Sequence, residues 1–202
     1  MAQQATQALA EQSTVSVPQR DQKNQTWFSF IQGPVPGRVA VNLGNKALIT
    51  PFGLATYGKR HTLTLLVPPE MTDLRGYLDT LDRKVKEYAW EHRATLFKTP
   101  PATPDILAAC HKPLLRAGKE GFSDTISLKV GDEASFYLLP DRTKTDSSVV
   151  SKGCQCACIV SPGRVWCMAS QEFGLSLRLQ YCLVGAPKKE DPTALFAEVA
   201  FD

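Results

Sequence analysis

The sequence predicts a mainly β chain with inserted helices, and three observations carry that prediction. Short β-prone runs, punctuated by Gly, Pro and Asn, fill residues 27–67 and 124–184. One long amphipathic segment, 72–97, lies between them, followed by a shorter helical stretch at 104–115. Strands do not alternate with helices. That argues against a doubly wound parallel sheet and for a small, strongly turned sheet of five or more strands, a closed or partly open barrel.

The individual elements follow from their patterns. "WFSFI" (27–31), "RVAVNL" (38–43), "KALIT" (46–50) and "RHTLTLLV" (60–67) read as strands joined by turns. In the last, Leu63, Leu65 and Val67 face one way and Arg60, Thr62 and Thr64 the other, as in a half-buried strand. The long helix begins with Thr72 or Asp73 as its N-cap. Leu74, Leu78, Leu81, Val85, Tyr88 and Ala89 recur at three- and four-residue steps, while Asp79, Asp82, Arg83, Lys84, Lys86 and Glu87 take the solvated side. The prolines of "KTPPATP" end it. "DTISLKV" (124–130), "ASFYLLP" (134–140), "CQCACIV" (154–160), "RVWCM" (164–168) and "FGLSLRLQYCLV" (173–184) read as further strands, with a tight turn at "SPG" and a polar loop at 141–153.

At 202 residues and 43% hydrophobic content, the chain suffices for one well-packed domain with appendages. Residues 1–25, rich in Gln, Ser and Thr and without a hydrophobic period, are expected to be a disordered tail. The opening "MAQQATQALAEQSTVSVPQR" has neither a basic start nor a continuous apolar segment, and no apolar run is long enough to cross a bilayer. An intracellular protein without a membrane partner is expected. The net charge of +3 permits an anionic partner without demanding one.

Six cysteines without a secretion signal argue for reduced thiols rather than a disulfide scaffold. Cys154, Cys156 and Cys158 stand at every second position, so in a strand they line one face. Free Cys behaves as a small hydrophobe, and a core row needs no metal. Tetrahedral ligation needs four converging groups, whereas there is no C-x-x-C pair and His61, His92 and His111 are scattered. No metal site and no cofactor are expected. Nor is there a phosphate-binding G-x-x-x-x-G-K-[ST] loop, a G-x-S-x-G elbow or a paired-acid cleft, so the chain does not read as an enzyme.

The outward strand faces carry the functional signal. Arg164 and Trp166 share one face of their strand, Val165 and Cys167 the other. In the last strand Leu175, Leu177, Leu179 and Tyr181 form a core row, with Ser176, Arg178 and Gln180 opposite. Arg60 and Lys129 project from the non-core side of theirs, and Tyr137 alternates against Phe136. Lys59, Arg142, Lys144 and Lys152 lie nearby in turns and loops. Cations track phosphates, and flat rings stack on bases without reading sequence. The candidate nucleic-acid-binding set is therefore Lys59, Arg60, Lys129, Tyr137, Arg142, Lys144, Lys152, Arg164, Trp166 and Arg178. The strand order, with one interposed helix, is that of an oligonucleotide-binding (OB) barrel with a long helix and a short satellite helix.

Three segments, "LTLLVPPEMTDLRGYLDTLDRKVKEYAWEHRATLF", "CHKPLLRAGKEGFSDTISLKV" and "GCQCACIVSPGRVWCMASQEFGLSLRLQYCLV", together resemble the single-stranded DNA-binding proteins of large double-stranded DNA viruses and phages. The resemblance runs from about residue 60 to 184, with support from "TWFSF". It implies an OB-fold that coats exposed strands in replication, recombination or repair, at a host nuclear or cytoplasmic viral replication site. It matches Trp166, Phe173, Gly174, Leu175, Arg178 and Gln180 to the family's end region, with Trp166 and Arg178 suited to DNA contact. The row of Cys154, Cys156 and Cys158 departs from the pattern and leaves open a thiol-sensitive or metal-binding variation. The resemblance further implies a C-terminal tail that competes with DNA and recruits replication proteins. Here the tail is only weakly acidic but ends in Phe201 and Asp202, so Phe196, Phe201 and Asp202 are the candidate partner-binding residues, with a last packed strand or amphipathic segment as the plainer alternative.

The expected organisation is a tail at 1–25, an OB domain at 26–186 and a C-terminal tail at 187–202. Its partner is single-stranded DNA, and the oligomeric state is open, a homodimer included. The rival expectation is a viral structural or protein-interaction barrel that binds no nucleic acid.

Overall fold

The computed structural model describes residues 2–21, 26–33, 40–44, 46–58, 60–119, 122–168 and 170–187. In chain order the elements are β1 (Gln3–Gln4), α1 (Gln7–Gln12), β2 (Thr14–Val15), β3 (Gln19–Asp21), β4 (Thr26–Gln32), β5 (Val41–Asn42), β6 (Leu48–Ile49), β7 (Leu54–Tyr57), β8 (Arg60–Val67), α2 (Thr72–Glu91), α3 (Arg93–Leu96), α4 (Pro104–Cys110), β9 (His111–Lys112), β10 (Leu115–Arg116), β11 (Asp124–Val130), β12 (Ser135–Leu138), β13 (Thr143–Thr145), β14 (Cys154–Cys167) and β15 (Phe173–Pro187).

The spine is the antiparallel pair β14–β15. At 14 and 15 residues, each spans roughly 45–50 Å, longer than any neighbour, so shorter strands share each flank. Along β14 the partners are β4, β5 and β6. Along β15 they are β9, β11 and β12, all parallel. Beyond β11 lie β8 and then β7, both antiparallel. The sheet is thus mixed and stays open, with β1 and β7 ending its path.

Helix α2 closes one face. Leu74, Tyr77, Leu78, Leu81, Val85, Tyr88 and Ala89 are buried against Leu63, Leu65, Ile126, Leu128, Leu175 and Leu177 in one core cluster. Burial pushes the Tyr77 phenol well above its usual range. The Tyr88 hydroxyl meets Ser29 Oγ at 2.6 Å, which fixes β4 to the helix. Among the described residues no helix is long and apolar enough to cross a membrane. The cysteine row is core as expected: Cys154, Cys156 and Cys158 are buried, and Cys158 Sγ lies 3.7 Å from Cys182 Sγ on the opposite strand.

Several expectations are corrected. Residues 2–21 are not a disordered tail. Thr6 caps α1 by accepting from the Leu9 amide, and Leu9, Ala10 and Ala5 are buried. Lys84 Nζ donates to the carbonyls of Glu11 and Ser13, pinning α1 to α2. A six-residue helix is too short to show a period in sequence. Thr72 is the first residue of α2 rather than its cap, and the long helix breaks at His92 before α3. α4 stops at Cys110 rather than Leu115, because Pro113 disfavours helical backbone before it. Asp82 is buried, not solvated: its Oδ2 accepts from the Leu114 amide at 2.8 Å and its Oδ1 faces His111 Nε2 at 3.3 Å. "SPG" makes no turn. β14 runs through it with a register shift between Pro162 and Val165.

Candidate nucleic-acid interface

The sheet face away from α2 gathers the cations and rings. On β14, Val165 and Cys167 are buried, so Arg164 and Trp166 point outward. Their direct partners on β4 are Phe30 and Phe28, on the same outer face. The Arg164 guanidinium lies 4.4 Å over the Phe28 ring and 5.8 Å from that of Phe30, and Phe30 is 37% exposed. On the other side Trp166 faces Gly174 of β15. A Cβ at Gly174 would sit 2.7 Å from the Lys112 carbonyl and 3.1 Å from the indole, so the glycine leaves room for both.

The face continues across the strands. Gly174, Ser176 and Arg178 lie opposite the core row of Leu175, Leu177 and Leu179; Gly174 and Ser176 are themselves covered, and Arg178 is exposed. Arg178 pairs directly with Lys129 of β11, and Lys129 with Thr62 of β8. Arg60, two residues before Thr62, shares that face and sits opposite Tyr57 of β7, which is 72% exposed. Arg60, Lys129, Arg164 and Arg178 thus form one cationic field. Partial burial, followed by the charges of Arg60, Arg178 and Arg164, lowers the Lys129 pKa from its usual value. Two of the four cations have acidic neighbours: Glu133 Oε1 lies 3.0 Å from Arg178, and Asp21 Oδ2 lies 3.8 Å from Arg164. Among the described residues no ion pair engages Arg60 or Lys129.

Of the residues singled out from sequence, the structure brings Arg60, Lys129, Arg164, Trp166 and Arg178 together. Tyr137 and Lys144 face each other across β12–β13, farther along β15, with Phe136 turned inward. Arg142, at φ +54°, and Lys152 are exposed in turns outside the row. Lys59, Phe196, Phe201 and Asp202 lie outside the described residues.

Sequence reasoning missed Phe28, Phe30 and Tyr57. Strand "LATY" is only four residues long, and "WFSFI" is apolar on both faces, so alternation assigned no outer side. It also placed Tyr181 in the core. Cys182 and Val184 hold the core side instead, and Tyr181 is 49% exposed. The parity changes where Val160 pairs with Leu179 and Ile159 with Tyr181, leaving Gln180 as an extra residue.

No protein-family model matches this chain, and no curated protein does. Among solved structures it is similar to gp2.5, a single-stranded DNA-binding protein encoded by bacteriophage T7. The TM-score is 0.54 at 10% identity, over 82% of this chain and 97% of that one. The likeness is one of fold, and it agrees with the OB-like class expected from strand order. The single-stranded DNA-binding protein from bacteriophage Enc34 aligns with a TM-score of 0.48 at 16% identity, over 94% of this chain and 96% of that one. The same phage protein in complex with single-stranded DNA aligns with a TM-score of 0.47 at 14% identity, over 87% and 96%.

Proposed function

We propose that this chain is a non-enzymatic, sequence-nonspecific single-stranded DNA-binding protein, with the strand crossing the outer sheet face from Trp166 to Arg60. The observation that carries this is the field of Arg60, Lys129, Arg164 and Arg178 laid beside Trp166, Phe30 and Tyr57. Like charges held this close repel, and a polyanion relieves them. The rings add base stacking, each stack contributing roughly 1–3 kcal/mol without reading sequence. The fold likeness to a phage protein that binds single strands points the same way. The wider role is coating of exposed strands in viral replication, recombination or repair inside the host cell, with replication proteins recruited through Phe196, Phe201 and Asp202.

The test is a titration of labelled oligo-dT and of a duplex of equal length, at two salt concentrations. Tight, salt-sensitive binding to the single strand alone is expected. Two to four neutralised phosphates give a log–log salt slope of about −1.4 to −2.8. Equal affinity for duplex and single strand, or none for either, overturns the reading. Deleting residues 190–202 should abolish recruitment of a replication partner while leaving stability unchanged. Lost stability with recruitment intact would assign the segment to packing instead.

A further inference from the structure

We propose that Tyr181 and Tyr137 form a second base-stacking platform for the same single strand, beyond the bulge in β15. The inference rests on the outer face being a single-strand track.

The bulge is what creates the platform. Parity set by Leu175, Leu177 and Leu179 would bury Tyr181, but the extra residue, Gln180, hands the core side to Cys182 and turns Tyr181 outward. Bulges commonly re-aim a side chain in this way. β12 pairs with β15 at that point, bringing the half-buried Tyr137 ring to 6.5 Å from the Tyr181 ring at a 36° tilt. Lys144, exposed and directly opposite Tyr137, supplies a cation beside the two rings. Tyr181 therefore offers an exposed ring to a base beside the half-buried Tyr137, with a positive charge placed for the phosphate.

The platform is also continuous with the track. Gln180 follows Arg178 on the non-core side and donates to Ser161 Oγ at 3.0 Å, tying β15 to β14 between the two regions. Tyr181 lies three residues past Arg178 and seven past Gly174, or roughly 10 and 23 Å along the strand. A strand held at Trp166 and Arg178 reaches the tyrosines only if it is long enough.

That length dependence gives the test. Anisotropy titrations compare wild type, Tyr181→Ala, Tyr181→Phe and Lys144→Glu on oligo-dT of about 4 and about 16 nucleotides, the ends of the site-size range for such folds. Tyr181→Ala is expected to weaken the long oligonucleotide at least about fivefold, the lower bound for one lost stack, and to leave the short one unchanged. Tyr181→Phe should bind as wild type, and Lys144→Glu should repeat the length-selective loss. Undiminished long-oligonucleotide binding by Tyr181→Ala and Lys144→Glu overturns the platform and leaves the patch to a protein partner. Equal loss on both lengths overturns it as well. Wild type binding neither length overturns the track beneath it, a separate failure.

Discussion

Glu133 Oε1 lies 3.0 Å from Arg178 Nη1, on the very residue that Lys129 faces across the β11–β15 pair. The acid stands in for an anion at the middle of the cationic row, and a phosphate reaching Arg178 must displace it. Glu133→Gln should therefore raise affinity for oligo-dT, by up to about fivefold if the exposed pair is worth as much as 1 kcal/mol. Equilibrium titration at low salt measures this, and lowered affinity would show that Glu133 orients Arg178 rather than competing for it.

Lys129 sets stability against binding. Like charges directly opposite in a sheet cost up to about 1 kcal/mol, so Lys129→Gln should raise the Tm slightly while weakening single-strand binding. The pH dependence has a definite sign. The folded protein holds the Lys129 pKa below its ordinary value, through partial burial and then the neighbouring arginines. A bound phosphate restores it, so the complex holds more protons than the free protein, and affinity falls as pH rises through the lowered pKa. By the same linkage the free fold gains stability over that window. Lys129→Arg should abolish this alkaline loss of affinity, and a variant that titrates like wild type would exclude Lys129 as its source.

Gly174 and Trp166 act as one unit. Trp166→Ala should weaken binding by roughly 1–3 kcal/mol. Gly174→Ala forces a methyl against the Lys112 carbonyl and the indole, and should cost about 1–3 kcal/mol of stability together with part of the affinity. Urea unfolding and oligo-dT titration of the same preparations separate the two effects.

The thiols should be nearly silent in the native state. Cys154, Cys156, Cys158, Cys167 and Cys182 are buried, and Cys110 alone is half-exposed. Burial pushes the Cys167 thiol up to about 12, and a hydrogen bond with Cys182, together with burial, pushes Cys156 well up. Thiolate is the reactive form. A disulfide reagent at mildly alkaline pH should label one thiol quickly and the other five only after denaturation. Two or more fast thiols would show that the β14–β15 spine opens.

Much of this was legible in the sequence, and the exceptions have physical reasons. Alternation in 60–67 and 124–130 assigned the faces of β8 and β11, and with them Arg60 and Lys129. The same rule failed in β15, because a bulge inverts parity without leaving a mark in composition. The turn signal failed in "SPG", where Pro and Gly sit within a long strand rather than at its end. α1 was invisible because its stability comes from docking on α2, through buried Leu9 and the Lys84 bonds, and not from its own six residues. Two rings beside Trp166 were missed for a related reason. Phe28 and Phe30 become outward-facing only once β4 is registered against Arg164 and Trp166.

The most direct measurement is the salt slope of oligo-dT binding for wild type and for the Arg60→Gln, Lys129→Gln double variant. If these two cations take phosphates on the outer face, the slope should flatten by about 1.4, or 0.7 for each contact. An unchanged slope in a folded double variant would contradict the account and move the strand to another face of the protein.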